Sequence, residues 1–154
     1  MPSAEQRDFG DRLVAAANSG DARAWASFYS PGVTNHDRPA GREGMVRIFD
    51  ALLAVFPDWK FEVSEVIGDG PDIVALMTMT GTHLGTSSTP IVGGAIVDLP
   101  PTGKRVRVQH IHRYHVVDGE ITDHHAVRDD LAMMQQLGLV PSTASRDDIS
   151  RPPA

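Results

Sequence analysis

The stretch from Val106 to Asp130 reads VRVQHIHRYHVVDGEITDHHAVRDD and holds five of the seven histidines of the chain. Its two halves, Arg105–Val117 and Glu120–Val127, are β-rich runs joined by Asp118-Gly119, a pair typical of tight hairpin turns. Histidine is the side chain whose ordinary pKa lies nearest neutrality, so it can give and take protons at working pH. The clustering of histidines on one hairpin therefore predicts the floor of a polar pocket.

The composition is that of an ordinary globular domain: 154 residues, 41% of them hydrophobic and 22% charged, with a formal net charge of −6. The acidic balance argues against a nucleic-acid-binding surface, which needs clustered Lys and Arg. The absence of cysteine excludes disulfides, thiolate catalysis and cysteine-ligated metals. No stretch approaches the roughly 20 apolar residues of a membrane span, and no signal peptide is evident. The sequence thus predicts a cytoplasmic protein with a small-molecule partner and no membrane or nucleic-acid partner.

Three helices are predicted in the first third of the chain. Ser3–Gln6 has the form of a capping box before apolar residues at helical spacing, and Asp21 can cap a short second helix that Ser30–Gly32 would close. A loop containing Asn35–Asp37 should follow. The third helix, Gly41–Phe56, carries an apolar stripe and should stop at the proline that follows it, because proline cannot continue the hydrogen-bond ladder.

After the third helix the apolar residues alternate with polar ones, a spacing typical of strands. Strands are predicted over Trp59–Ile67 and Ile73–Leu84, followed by the histidine-rich hairpin and a short helix over Asp129–Leu137. This order predicts an α+β fold in which a curved antiparallel sheet packs on the three N-terminal helices and leaves a cavity at one end. Residues 1–140 form the predicted domain, and residues 141–154, rich in Ser, Asp, Arg and Pro, are a predicted disordered tail.

An ordered set of short motifs resembles the SnoaL-like polyketide cyclases. The motifs span most of the predicted domain, and in chain order they are Phe56-Pro57-Asp58, Gly81-Thr82-His83, Leu99-Pro100-Pro101-Thr102-Gly103, Val117-Asp118-Gly119-Glu120-Ile121 and Gln136-Leu137-Gly138. The resemblance implies the nuclear transport factor 2-like fold, a cone-shaped α+β structure, and a homodimer. It also implies ring closure by an intramolecular aldol reaction without metal or cofactor, as in the founding enzymes. Other relatives act as isomerases or hydroxylases.

The resemblance also assigns individual residues. In the cyclases an aspartate on the last strand is the general base, and a histidine on the preceding strand is its partner. The histidine position matches His112, whereas the aspartate position falls on Ala126, and an alanine cannot accept a proton. The asparagine that lines the cyclase pocket matches Asn35. A substitute carboxylate could come from one of three other aspartates: Asp37, Asp129 and Asp130.

The even-numbered positions of the first hairpin strand form its more apolar face and should point inward with two histidines and a tyrosine: His110, His112 and Tyr114. The register of the returning strand is open. A two-residue turn would place His125 opposite His112, and a three-residue loop with a glycine bulge would place His124 there. The three-residue loop is favoured, because it also turns Ala126 inward.

The pocket residues favour acid–base catalysis on a carbonyl-containing, polyketide-like small molecule by a cyclase or isomerase. His112 and His124 are predicted to share proton transfer, with Tyr114 or Asn35 as a hydrogen-bond donor to a developing enolate oxygen. Contacts to the substrate are expected from five side chains: Asn35, His36, Trp59, His83 and His110. For His83 a second role, the fixing of a turn by hydrogen bonds, is equally compatible with the sequence.

Other interpretations stay open. The histidines could merely satisfy buried polar groups in a binding protein that lost the catalytic aspartate, or the chain could be a cofactor-independent hydroxylase like some relatives. A three-histidine metal site at His110, His112 and His124 is conceivable, but we predict no metal and no cofactor. Thr86–Leu99 could be a lid hinged at Gly93-Gly94, an extra strand for dimer contacts, or a packed extension of the sheet.

Overall fold

The structure is a computed structural model that describes residues 1–90 and 96–142. Within them, four helices and six strands follow one another in chain order: α1 (Ala4–Asn18), α2 (Ala22–Ala26), β1 (Tyr29–Asn35), β2 (Arg38–Pro39), α3 (Gly41–Val55), β3 (Lys60–Asp69), β4 (Asp72–Thr82), β5 (Arg105–Val117), β6 (Glu120–Arg128) and α4 (Asp130–Leu137). The predicted hinge at Gly93-Gly94 lies outside the described residues, as do residues 143–154 of the predicted tail. Of the helices described, none is both long and apolar enough to cross a membrane.

The first two helices begin where the capping signals predict. In α1 the Oγ of Ser3 accepts a hydrogen bond from the Gln6 N–H (3.1 Å), and the Oε1 of Gln6 accepts one from the Ser3 N–H (2.7 Å). Asp21 accepts hydrogen bonds from the first turn of α2, and α3 ends at Val55, before the proline. These bonds satisfy N–H groups that have no partner inside a helix. All three predicted helices are confirmed.

The prediction that Ser30–Gly32 closes the second helix is wrong. The segment belongs to β1, which pairs with β6 at Tyr29 and again from Thr34 onward, with an irregular stretch between. Its proline has no N–H to donate to a ladder, which accounts for the irregularity. The predicted loop that follows is a tight turn between β1 and β2, in which His36 and Asp37 both have positive φ.

The six strands form one sheet in the order β2-β1-β6-β5-β4-β3. Neighbours among β3 to β6 are antiparallel, as predicted, but β1 runs parallel to β6, so the sheet is mixed. The parallel pair brings the end of β1 against β6, where Asn35 is the register partner of His124. Two polar residues far apart in sequence are thereby placed side by side.

The hairpin of β5 and β6 has a register that differs from both predicted alternatives. Its turn consists of Asp118-Gly119, both with positive φ, as in a two-residue hairpin loop. A bulge at Thr122 then adds one residue to β6, so Ala126 lies opposite His112. His124 and Ala126 still face inward, as predicted, because the observed register differs from the favoured one by two strand positions, and alternate positions share a face.

The α+β prediction is confirmed, since the helices cover the inward face of the sheet with one continuous core. Trp25 of α2 stacks on Phe49 of α3, with ring centroids 4.6 Å apart. Trp59 lies just before β3, with its ring centroid 6.4 Å from that of Phe49 and 5.1 Å from that of Phe61. This aromatic cluster fixes α3 above the strands that carry the histidines.

Candidate active site

A cavity of about 70 Å³ lies between α3 and the inward face of the sheet. Its lining combines aromatic and methionine side chains with histidines and a few other polar groups: Trp25, Asn35, His36, Met45, Ile48, Phe49, Leu52, Trp59, Phe61, Met79, His110, His112, His124, Ala126, Arg128, Asp130 and Met133. A mainly apolar cavity with a small number of convergent polar groups is the usual form of a small-molecule site. The predicted pocket therefore exists on the predicted face of the sheet.

Three buried histidines form a hydrogen-bonded series along the cavity wall, which we call the histidine chain: His110, His112 and His124. The Nδ1 atom of His110 lies 3.2 Å from Nε2 of His112, and Nδ1 of His112 lies 3.0 Å from Nε2 of His124. Beyond the last ring, Nδ1 of His124 lies 2.8 Å from Oδ1 of Asn35. The histidine chain thus ends on an amide oxygen.

This amide oxygen sets the direction of every hydrogen bond in the histidine chain. Because Oδ1 of Asn35 can only accept, His124 must carry its proton on Nδ1, and its Nε2 is then an acceptor. His112 must in turn donate from Nδ1 and accept at Nε2, and His110 donates from Nδ1. The neutral tautomer of each ring therefore follows from Asn35. Nε2 of His110 is left with a free lone pair.

The free nitrogen of His110 lies at the end of the histidine chain opposite Asn35, on a residue that lines the cavity. Among the described residues no hydrogen bond reaches this atom, and it is not one of the fully enclosed polar atoms that lack a partner. In contrast, both ring nitrogens of His112 are engaged with other rings. His110 therefore offers a ring nitrogen to a ligand, whereas His112 offers none.

Burial lowers the pKa of all three histidines below the ordinary value of 6.5. For His110, burial and then the nearby charge of Arg128 lower the pKa to about 3. The pKa values of His112 and His124 lie well below 6.5, with burial again the largest cause and the neighbouring imidazole of the histidine chain the next. The histidine chain is uncharged at neutral pH, and its free lone pair is available.

Ala126 lines the cavity beside the histidine chain, opposite His112. The wall thus carries a methyl group at the position that the resemblance assigns to an aspartate. Of the three aspartates considered as substitutes, Asp130 is the one that lines the cavity. The side chain of Asp37 is 90% exposed, and Asp129 caps α4 by accepting a backbone hydrogen bond at 3.0 Å.

Two charged residues lie at the cavity wall: Arg128, which was not predicted, and Asp130, which was considered only as a substitute carboxylate. Arg128 lines the cavity from the end of β6 and Asp130 from the start of α4, with 3.5 Å between Nε and Oδ1. Burial raises the pKa of Asp130, although the charge of Arg128 opposes that effect. The strand alternation that turns His124 and Ala126 inward also turns Arg128 inward. This alternation was the signal that could have identified the arginine.

Tyr114 does not line the cavity, contrary to the prediction of a catalytic role there. It is buried on the inward face but lies under α1, in a separate gap that Phe9 and Leu13 also line. Its ring lies against that of His124, with centroids 5.2 Å apart and planes 18° apart, and burial raises its pKa. Tyr114 therefore packs against the histidine chain without lining the cavity itself.

Among the predicted contacts to substrate, Asn35, His36, Trp59 and His110 line the cavity. His83 does not. It is fully buried, and its Nδ1 accepts a hydrogen bond from the Thr102 N–H at 3.2 Å. The alternative role predicted for His83, the fixing of a turn, is confirmed.

In residues 1–90 and 96–142 no group of three histidine, aspartate or glutamate side chains is arranged to hold a metal ion. The ring nitrogens of the histidine chain point at one another, with N–N distances of 3.0 and 3.2 Å, and not at a common centre. The three residues considered for a metal site, His110, His112 and His124, therefore form a hydrogen-bonded series in this structure.

Comparisons with known proteins agree with this geometry. The model of the family described as SnoaL-like polyketide cyclase matches residues 8–137. Aklanonic acid methyl ester cyclase DnrD of Streptomyces peucetius is 30% identical over 140 residues, which cover 86% of this chain and 90% of the relative. Nogalonic acid methyl ester cyclase of Streptomyces nogalater is 25% identical, covering 82% and 92%. The structure of TsrD from Streptomyces laurentii superposes with a TM-score of 0.75 at 25% identity, covering 91% of this chain and all of that one.

Proposed function

The chain belongs to the SnoaL-like polyketide cyclase family, and on that premise we propose that it closes a ring in a polyketide-like small molecule by acid–base chemistry. The observation that carries the proposal is the histidine chain, which runs from Asn35 to a free Nε2 on His110 at the cavity. The base expected at His112 is reassigned to His110, since both nitrogens of His112 are already bonded. His112 and His124 keep a role in proton transfer behind it.

The proposed reaction is an intramolecular aldol addition. Nε2 of His110 takes a proton from a carbon next to a carbonyl group, and the C–H electron pair becomes the enolate. The enolate carbon then attacks a second carbonyl carbon of the same molecule, which forms the C–C bond and leaves an alkoxide. The alkoxide recovers the proton from His110, so the product is an isomer of the substrate and the enzyme is regenerated.

The charge that His110 gains can spread along the histidine chain. When Nε2 of His110 takes a proton, its Nδ1 proton can pass to His112, and the Nδ1 proton of His112 can pass to His124. The positive charge then rests on His124, whose Nδ1–H still donates to Asn35 at 2.8 Å. Such a shift moves hydrogens only, so the packed rings can stay in place.

The substrate class follows from the strength of the base and the size of the cavity. An imidazole whose pKa burial lowers to about 3 is a weak base, so it suits a carbon acid that two carbonyl groups activate. The substrates named for two relatives are methyl esters of acids, and we propose an ester or ketone of this activated kind. A cavity of about 70 Å³ takes the reacting end of such a molecule, and larger fused rings require wall side chains to move.

The direct test uses aklanonic acid methyl ester, the substrate named for a relative, and measures an isomeric product by chromatography. His110→Gln is expected to lower turnover by a factor on the order of 10²–10⁴, the usual range for one acid–base group. The matched control is His115→Gln on the same strand, because His115 lies outside the cavity and bonds to Asp72 at 2.9 Å. Turnover that His110→Gln leaves unchanged would contradict the assignment of the base.

A second candidate function is ligand binding without turnover, which the methyl group of Ala126 in the catalytic wall favours. This alternative predicts that the same ester binds, that no isomer forms, and that His110→Gln changes affinity alone. Parallel measurements of binding and product formation therefore separate the two functions.

We also propose that the protein acts in the cytoplasm as a homodimer that pairs through the outer face of β5 and β6. On that face Ile111 and Val127 are register partners with 49% and 72% of their surfaces exposed. The family resemblance implies a homodimer, so we propose that a second copy of the chain covers this face. Val127→Lys should convert a dimer to a monomer in light scattering, and a wild-type monomer at micromolar concentration would contradict the proposal.

A further inference from the structure

We propose that Arg128 is an anion-binding residue of the cavity and holds the enolate oxygen of a β-dicarbonyl ligand, an inference that rests on the proposed function. Nothing in the family resemblance assigns a cation to this wall. Arg128 is suited to this role by the position of its guanidinium, by an Nε–H without a partner, and by the charges that surround it.

Arg128 is positioned by the strand pair that carries His110. The two residues are register partners in β5 and β6, so their side chains leave the same face of the sheet, and both line the cavity. Directly opposed strand residues have Cβ atoms about 5 Å apart. A ligand atom that meets the free nitrogen of His110 is therefore within reach of the guanidinium.

One hydrogen-bond donor of Arg128 is without a partner in the described part of the protein. Its Nε is fully enclosed and has no hydrogen-bond partner there. The carboxylate of Asp130 comes no closer to Nε than 3.5 Å, beyond the 2.7–2.9 Å typical of a charge-assisted hydrogen bond. An enclosed guanidinium N–H without a partner is costly, and an anionic ligand oxygen would satisfy it.

The surrounding charges favour an anion at this place. The titratable groups that line the cavity with Arg128 are His110 and His112 on β5, His124 on β6, His36 on the β1–β2 turn and Asp130 on α4. Burial lowers the pKa of all four histidines. The imidazoles are neutral at pH 7, which leaves Arg128 as the cation and Asp130 as its partly exposed counter-ion.

An enolate is the anion that fits this pair of residues. His110 removes the proton and becomes positive, and the electron pair moves onto the carbonyl oxygen, where a fixed cation stabilises it most strongly in an apolar site. Arg128 binds the neutral ketone weakly and the enolate strongly, so it favours the charged form. Arg128 thereby makes proton removal by the weak base His110 more favourable, because it stabilises the enolate oxygen that this step produces.

The test uses acetylacetone, a small β-diketone whose enolate absorbs at longer wavelength than its neutral forms. At pH 7 the wild-type protein should bind it with the absorption of the enolate. Arg128→Gln should weaken binding of the enolate about 10- to 100-fold, the usual effect of a lost hydrogen bond to a charged group, and Arg128→Lys should retain more of it. This binding measurement needs no turnover, so the two proposals can fail separately. Loss of the predicted enolate binding would contradict the role of Arg128 alone, and unchanged turnover in His110→Gln would contradict the role of His110 as the base.

Three outcomes would overturn the assignment: no binding of acetylacetone by the wild type, binding in a neutral form only, or an enolate spectrum that Arg128→Gln leaves unchanged. If Arg128→Gln does not fold, Asp130→Asn gives the answer with the arginine in place. Removing the competing carboxylate should tighten enolate binding, and weaker binding in Asp130→Asn would contradict the proposal.

Discussion

His112 and Ala126 lie directly opposite each other in the β5–β6 pair, so the methyl group of Ala126 adjoins the middle ring of the histidine chain at the cavity wall. The family resemblance assigns a catalytic aspartate to the position of this methyl group. The protein therefore combines a complete histidine chain with a wall that lacks the expected carboxylate, and the proton chemistry must start at another atom.

Restoring the carboxylate should strengthen the base. In Ala126→Asp, a negative charge beside His112 favours the protonated form of the histidine chain, and a rise of one pKa unit increases basicity about tenfold. We expect a gain in turnover of about that size and a loss of stability from the buried charge. The matched control is Ala126→Asn, which has the same shape without the charge. Equal turnover in the two variants would contradict a role for charge at this position.

The direction of the histidine chain should depend on Asn35. Asn35→Asp keeps an acceptor for the Nδ1–H of His124, whereas Asn35→Leu removes it and frees the rings to adopt the opposite tautomers. Nitrogen NMR should find His110 protonated on Nδ1 in the wild type and in Asn35→Asp. In Asn35→Leu we expect mixed tautomers and turnover at least tenfold lower. A wild-type His110 protonated on Nε2 would refute the assigned direction.

The buried histidines should make stability fall in acid. The folded protein holds the pKa of His110 at about 3, against 6.5 ordinarily, so between these values the unfolded chain binds more protons. The free energy of unfolding must then decrease as pH drops below 6.5, until the folded pKa is reached.

The contribution of one histidine to this pH dependence can be isolated. Between pH 5.5 and 4, His110→Gln should reduce the slope of the free energy of unfolding by about 1.4 kcal/mol per pH unit in urea titrations. The control is Tyr114→Phe, in the same wall, because the raised pKa of this phenol keeps it neutral throughout that range. If His110→Gln and wild type have parallel slopes, His110 is not held neutral by burial.

Gly85 should tolerate no side chain. A Cβ on this residue would lie 1.8 Å from the backbone oxygen of Ala54 at the end of α3, so the chain after β4 would have to move away. Gly85→Ala is expected to cost about 1–3 kcal/mol, the usual range for overpacking. Gly10→Ala in α1 is the control, since nothing lies within 4 Å of its Cβ and alanine favours a helix. Equal melting temperatures in the two variants would contradict this packing.

Strand alternation predicted which side chains face inward, but not which of them reach the cavity. His110 and His112 face inward as expected, and so does Tyr114, yet the tyrosine meets a small separate gap under α1 while the histidines meet the cavity. Alternation of period two carries no information on which helix covers a given position. The prediction that Tyr114 lines the cavity was wrong for this reason.

Bulges and irregular strands were the other features that could not be predicted from the sequence. No residue type marks Thr122 as the extra residue of the hairpin, so the pairing of Ala126 with His112 could not be deduced from turn chemistry alone. Likewise Ser30–Gly32 has the composition of a turn, and only pairing with β6 makes it part of β1. Both features are decided by contacts across the sheet, which local sequence does not encode.

The methionines of the cavity wall have a consequence for the evolution of substrate range. Met45, Met79 and Met133 come from α3, β4 and α4 and together form much of the apolar lining. Unbranched thioethers change shape at little cost, so they adapt to ligands of different outline. The histidines, by contrast, are held in one arrangement by their mutual hydrogen bonds. Descendants of this protein could therefore come to accept substrates with new ring systems through changes in the methionine-lined wall, while the histidine chain stays unchanged.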